Sequence, residues 1–336
     1  MPTFLNKKSI LITGGTGSFG KHFSKHIIEK YSDVKKLVIF SRDELKQSEM
    51  QKTIPKNFSS KIRFFIGDVR DKERLNRALD DIDIVIHAAA LKHVPISEYN
   101  PFEFIKTNVL GAQNLIDAAL DKRVGNLIAL STDKAVSPVN LYGATKLAAD
   151  KLFVSSNSIV GKRKIKISVV RYGNVFGSRG SVVPLFLNLK KNEKYPITHE
   201  SMTRFNISLD EAVNFVLWSL KKNIGGEIFV PKLPSYKIFD LIKAINPKFT
   251  YKIIGIRPGE KIYEELVSKM ESLNTYDLGN CYSIVDRSQA KVIKEYEKKK
   301  IKKVKIGFEY NSSNNKDFLT VKKLVSLIAQ YKNPLI

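Results

Sequence analysis

Directly after the apolar run SILIT (9–13) the chain reads TGGTGSFG, with glycines at 14, 17 and 20. A strand that ends in such a turn and leads at once into a helix can bring its backbone against a pyrophosphate. The helix then points its partial positive end at that anion. One glycine is explained by a plain left-handed turn, but three at this spacing are not. The chain therefore opens as strand, tight turn and helix, with the helix running to about Tyr31. Gly14, Thr16, Gly17, Ser18, Phe19 and Gly20 are the expected contacts of a dinucleotide.

The alternation continues. KLVIF (36–40), IRFFIGD (62–68), DIVIHAAA (83–90), NLIALS (126–131) and KISVVRYG (166–173) read as further strands. Helical patterns lie between them, around Arg70–Leu79, from Pro101 to about Leu120, and from about Leu141. Strands alternating with helices imply right-handed crossovers and a parallel sheet, and near-continuous apolar runs suit strands buried on both faces. The expected fold is α/β, a doubly wound parallel sheet of Rossmann-like type over residues 1–175. Residues 176–336 are expected to form mainly a smaller α/β substrate domain. Within them a helix in NISLDEAVNFVLWSLKK, starting near Ser208, and a strand in GGEIFVP (225–231) return to the first domain.

Composition narrows the function. A single cysteine, Cys281, excludes an internal disulfide and fits a reducing compartment. His22 and His26 in HFSKH lack the glutamate of a zinc helix, so no metal is expected. No apolar run approaches the roughly 20 residues that span a bilayer, and MPTFLNKKSILITGG has no cleavage site of a secretory signal. A cytoplasmic protein without a membrane partner is expected. The net charge is +24, with lysines scattered except in KEYEKKKIKKVK (294–305). That run reads as a solvated face, so no nucleic-acid partner is expected; a positive field also draws anionic ligands.

The end of the second strand decides the kind of dinucleotide. An acidic residue there would hold a ribose 2′-hydroxyl, but the chain reads Ser41-Arg42. A hydroxyl and a guanidinium suit a 2′-phosphate, so NADP is the expected cofactor. Asp43 either joins this rim or caps the next helix, and Glu44, Leu45 and Lys46 follow it in the same rim. Asp68 and Val69 come after the third strand, where a carboxylate can receive an adenine amino group. Ala88 and Lys92 come after the fourth, at the carboxyl edge of the sheet.

Tyr142 and Lys146 lie four residues apart near the start of a helix, hence on one face. A phenol is a poor base at neutral pH. An ammonium and an oxidised nicotinamide beside it favour the phenolate, which can take a proton from a sugar hydroxyl as hydride leaves the same carbon. With the glycine turn and Thr132, this pair makes the chain resemble the extended short-chain dehydrogenases/reductases over essentially its whole length. Within them it is most similar to the inverting UDP-N-acetylglucosamine 4,6-dehydratases. SRDELKQSEM (41–50), FFIGDVRDKERL (64–75), HAAALKHVPISEYNP (87–101), LSTDKA (130–135), LYGATK (141–146), VRYGNVFGSRGSVVP (170–184), MTRF (202–205) and GIRPGEK (255–261) carry that resemblance.

Removing water between C5 and C6 of a sugar requires oxidation at C4, a base for the C5 proton and an acid for the leaving C6 oxygen. The resemblance implies that Lys134, where retaining 4,6-dehydratases carry glutamate, is the C5 base and later returns a proton to the opposite face. It implies that Asp133 assists the acid step. A lysine acts as a base only if its proton affinity falls, which burial and nearby cations would promote. The resemblance further implies a UDP-sugar substrate, the start of the pathway to pseudaminic acid, and a homo-oligomer, up to a hexamer.

Lys92, Asn174, Ser178, Arg179, Gly180, Ser181, Thr198, Arg204, Arg257 and Glu260 are the candidate substrate contacts, the arginines because guanidinium forks match phosphate. His93 and Glu98 share the loop of Lys92. Two related activities stay open at this point. One is a 4,6-dehydratase that also epimerises C5 in another deoxysugar pathway. The other is a UDP-sugar 4-epimerase, which needs the Thr-Tyr-Lys set but no adjacent acid and base.

Overall fold

The computed structural model describes residues 4–178, 180–190 and 193–332. Its centre is a nine-stranded sheet in the order Thr275–Asp277, Cys281–Val285, Glu227–Pro231, Lys166–Tyr172, Asn126–Thr132, Ile84–His87, Ser9–Thr13, Lys36–Ser41, Ile62–Ile66. The run from Glu227–Pro231 to Ile62–Ile66 is parallel throughout, and Cys281–Val285 joins it antiparallel. Every residue of Ser9–Thr13 and Ile84–His87 is buried, as strands covered on both faces must be. The chain moves outward in one direction from Ser9–Thr13 and then restarts beside it with Ile84–His87. The strand order therefore reverses between these two, which is where an open α/β sheet forms its crevice.

The expected strands are present to within a few residues. Three observations go beyond the sequence reading. First, residues 275–285 add two strands to the sheet beyond Glu227–Pro231, so the late chain returns to the sheet a second time. Second, the helix expected after Pro101 is not uniform: a π-helical turn at Ile105–Leu110 separates Pro101–Phe104 from Gly111–Asp121. Such a turn carries an extra residue and often marks a functional position. Third, the remaining chain builds a separate small core from Val183, Phe186, Tyr195, Ile197, Leu241, Ile242 and Leu324. Short strand pairs lie in this part, Tyr195–Ile197 with Tyr251–Ile253 and Thr203–Phe205 with Ser235–Lys237.

Helix Leu209–Lys222 starts where expected. The Ser208 hydroxyl accepts from the Glu211 amide while the Glu211 side chain accepts from the Ser208 amide, a reciprocal cap. No helix among the described residues is long and apolar enough to cross a membrane.

Beneath the sheet edge Arg171 is fully buried between Asp150 (3.5 Å) and Glu271 (2.9 Å). Asp150 also accepts from the Ser131 hydroxyl at 2.7 Å. Removing one partner of a buried pair strands the other charge. Arg171→Met should therefore lower unfolding stability by about 3–5 kcal/mol, measured by denaturant titration of the purified chain.

Candidate active site

A cleft of about 640 Å³ opens at the point where the strand order reverses. The glycine turn supplies Gly14, Thr16, Gly17, Ser18, Phe19 and Gly20 to its wall; the second strand's end supplies Ser41, Arg42, Asp43 and Lys46; Asp68, Val69, Ala88 and Lys92 follow. The opposite wall holds Thr132, Lys134, Tyr142, Lys146, Asn174, Ser178, Gly180 and Ser181. Residues far apart in sequence thus line one groove, with the glycine turn on one wall and Tyr142 and Lys146 on the other.

The glycine turn is built to be close-packed. Gly14 has φ +64, and a Cβ there would lie 2.9 Å from the backbone of Ala88 and Ala89. A Cβ on Gly20 would lie 2.5 Å from Gly15, so strand, turn and helix touch without side chains between them. Gly17 at the cap of helix Ser18–Lys30 brings no side-chain acceptor, so the amides of the helix's first turn suit an anion such as a pyrophosphate. Thr13 ties this turn to the next loop: its hydroxyl accepts from the amides of Ala88 and Ala89 at 3.2 Å each and pairs with His87 Nδ1 at 2.8 Å. His87 is buried beside Lys146, and burial pushes its proton affinity down to about 3, so it is neutral here.

At the adenosine end the two readings of Asp43 resolve partly. Its carboxylate accepts from the Lys46 amide at 3.0 Å and caps helix Glu44–Lys52, and it also pairs with the Lys46 ammonium. Asp43 still borders the groove, but with its charge engaged. Glu44 and Leu45 do not line it, and Leu45 is 69% exposed. Ser41 is buried and takes the Gln47 amide at 3.1 Å. Arg42 is half-exposed, 3.6 Å from Asp68. Asp68 accepts from the Arg70 amide and guanidinium, and Asp71 caps the next helix, Lys72–Ala78.

The residues expected to carry chemistry sit on the other wall. Asn140 caps helix Leu141–Ser155 by accepting from the Gly143 amide at 2.8 Å, which fixes Tyr142 and Lys146 at the sheet's carboxyl edge. Lys146 Nζ donates to the Leu130 carbonyl at 2.8 Å, and burial lowers its proton affinity despite Asp150. Burial pushes the Tyr142 phenol up to about 12, against the pull of Lys134 and a hydrogen bond with Thr132. The π-helical turn contributes Thr107 to the cleft and Asn108 beneath it; Asn108 holds both the amide and the carbonyl of Leu91 at 2.9 Å and reaches Thr145 at 3.1 Å.

Lys134 projects from a short turn after Thr132, a quarter exposed to the cleft. Its Nζ stands 3.1 Å from Asp133 and 3.1 Å from Glu264, both buried. Here the structure corrects the sequence reading. Burial lowers the proton affinity of Lys134, but the two carboxylates outweigh it and hold the ammonium above the ordinary lysine range. Burial raises the affinity of Asp133 more than its partners lower it. Glu264 was not foreseen. It follows GIRPGEK in the unremarkable run EEL, and no local pattern links it to a residue 130 positions earlier.

The remaining substrate candidates lie apart from the cleft wall. Arg204 is buried and donates to the carbonyls of Thr203, Lys261 and Ile262, so its guanidinium is committed to the chain itself. Glu260 lies 3.6 Å from it. Thr198 is buried in the smaller core region and Arg257 is exposed. Arg179 lies outside the described residues.

Residues 10–286 match a family model described as polysaccharide biosynthesis protein. A protein from Campylobacter jejuni named UDP-N-acetylglucosamine 4,6-dehydratase (inverting) is 53% identical over 331 residues, 96% of this chain and 98% of that one. A UDP-glucose 4-epimerase from Rickettsia bellii is 45% identical, covering 92% of each chain. Among solved structures, Pen from Bacillus thuringiensis superposes with a TM-score of 0.87 at 37% identity, covering 98% of this chain and 99% of that one.

Proposed function

Because the chain belongs to the polysaccharide biosynthesis protein family, within the extended short-chain dehydrogenases/reductases, we propose that it dehydrates UDP-N-acetylglucosamine across C5 and C6 and inverts C5. The product is a UDP-2-acetamido-2,6-dideoxy-4-keto-hexose of L-arabino configuration. The observation that carries this reading is the buried Asp133 paired at 3.1 Å with the ammonium of Lys134, which lines the cleft together with Tyr142. An enzyme that only oxidises and re-reduces C4 has no use for that second acid–base pair. The reading extends to a cytoplasmic homo-oligomer that makes the first intermediate of pseudaminic acid, with residues 1–175 holding cofactor and 176–336 mainly substrate.

NADP, when bound, supplies the hydride acceptor at C4 and the hydride donor at C6. The glycine turn would hold its pyrophosphate, and Ser41 and Arg42 its 2′-phosphate. Asp43, neutralised by Lys46, would not oppose that phosphate. Tyr142 takes the C4 hydroxyl proton once cationic charge beside it offsets its burial, and Lys146, held by the Leu130 carbonyl one helical turn on, lines the same cleft. Asp133, which binds a proton more readily than a free aspartate, gives one to the departing C6 oxygen so that it leaves as water. Lys134 passes its proton to Asp133, 3.1 Å away, as that acid is spent on the C6 oxygen, and the amine so formed takes the proton made acidic at C5 by the neighbouring ketone. Lys92, Asn174 and Ser178 line the space left for the sugar and diphosphate.

The deciding experiment is proton NMR of the protein with UDP-N-acetylglucosamine and NADP in heavy water. A 4-keto-6-deoxy product with inverted, deuterated C5 is expected. An unchanged C6 with altered C4 configuration would identify a 4-epimerase, the activity named for the Rickettsia relative. The cofactor choice has its own check. Arg42→Ala should weaken NADP binding roughly tenfold or more through loss of a charge-assisted contact, with NAD binding changed far less, as read by fluorescence titration.

A further inference from the structure

Lys134 is gripped from two sides, and only one of them is local. Asp133 is its chain neighbour, whereas Glu264 arrives from the segment after Gly259 and places Oε1 3.1 Å from Nζ. Glu264 is anchored independently of the lysine. Its amide donates to the Ser312 hydroxyl at 3.0 Å, the Ser312 amide returns a bond to its carbonyl at 2.8 Å, and Ser312 in turn pairs with Thr203. Arg204 braces the same segment by its bonds to Lys261 and Ile262 and comes within 3.8 Å of the Glu264 carboxylate. The other oxygen, Oε2, is buried without a hydrogen-bond partner. A scaffold thus presents this carboxylate to Lys134 at a fixed place. An ion pair that served only to fasten the late chain would not need a cation open to the cleft beside Tyr142.

We propose that Glu264 is a positioning residue for Lys134, clamping its amino group opposite Asp133 so that it faces the reacting sugar carbon. The inference rests on the dehydratase reading, which gives Lys134 its task. The charged and titratable groups facing Lys134 are Asp133, Glu264, Arg204 and the phenols of Tyr142 and Tyr236. Burial and Arg204 favour loss of the lysine's proton, and the two carboxylates oppose it. Removing the charge of Glu264 must therefore let Lys134 deprotonate at lower pH.

The test compares the full-length wild type with Glu264→Gln and Glu264→Asp. The first readout needs no turnover: the rate at which acetic anhydride acetylates Lys134, followed by peptide mass spectrometry as a function of pH. In Glu264→Gln the midpoint should fall by about one pH unit or more, while Glu264→Asp, which keeps the charge, should stay near wild type. The second readout is turnover of UDP-N-acetylglucosamine. In Glu264→Gln kcat should drop about tenfold or more through misplacement, KM should change little, and the acidic limb of the kcat profile should move to lower pH. An unmoved Lys134 midpoint overturns the proposal, even with lower kcat and a lower thermal midpoint, because that combination marks a merely structural residue. A shifted midpoint in a protein whose wild type does not convert UDP-N-acetylglucosamine supports the clamp and sinks the dehydratase reading instead. If Glu264→Gln does not fold, Glu264→Asp decides: its carboxylate is retracted by one methylene, so lower kcat with an unaltered KM supports the clamp, and wild-type kcat overturns it.

Discussion

Lys134→Ala is expected to retain cofactor and still oxidise the sugar at C4, more slowly because the Lys134 charge also favours the Tyr142 phenolate, yet to lose solvent deuterium entry at C5 by about a hundredfold to ten-thousandfold, the usual worth of a positioned acid–base group. The stalled sugar should be visible as the ultraviolet absorbance of reduced nicotinamide, which builds up because the later steps cannot consume it. Full deuterium exchange in this variant would remove Lys134 from the mechanism. The substitution also takes from the buried Asp133 and Glu264 the cation they share, leaving only Arg204, 3.8 Å from Glu264. One carboxyl must then bind a proton more tightly in the folded than in the unfolded chain. A folded-state affinity raised in this way contributes stability below the unfolded carboxyl range and loses it as pH rises. The variant's melting deficit against wild type should accordingly be larger at mildly alkaline than at mildly acidic pH.

Tyr142→Phe should fail one step earlier. Without the phenol no proton leaves the C4 hydroxyl, so turnover should fall by a factor of about a hundred to ten thousand. Here reduced nicotinamide should not accumulate, and C5 exchange should vanish with it, since an unoxidised sugar has no acidic C5 proton. The two variants therefore separate on one spectrophotometric trace: absorbance rising and staying for Lys134→Ala, flat for Tyr142→Phe. A rise in both would mean that some group other than Tyr142 takes the first proton.

What could be read from the sequence was what is local. The glycine turn, the strand–helix alternation and the Tyr142–Lys146 spacing each declare themselves within a few residues, and the parallel part of the sheet followed from them. The fate of Arg204 did not. A buried guanidinium and a phosphate-binding one look alike in MTRF, and only the approach of residues 261 and 262 shows that its donors are used at home. The charge state of Lys134 was misjudged for the same reason. Asp133 was visible beside it, but the second carboxylate, which tips the balance, is brought in by the tertiary fold. Strands Thr275–Asp277 and Cys281–Val285 went unseen because what makes them strands is the open sheet edge at Glu227–Pro231, a tertiary partner their own sequence does not announce.

The π-helical turn at Ile105–Leu110 sets the angular phase of everything after it. An α-helix advances by about 100° per residue, so the extra residue lets the segment face in two directions. Asn108 looks towards Leu91 and Thr145, while Ala112, Leu115, Ile116 and Ala119 still meet the core. Deleting a single residue from this turn would make the helix more regular and rotate one of those facings away from its target. Length, and not only side-chain identity, is thereby fixed in a stretch whose composition looks wholly ordinary.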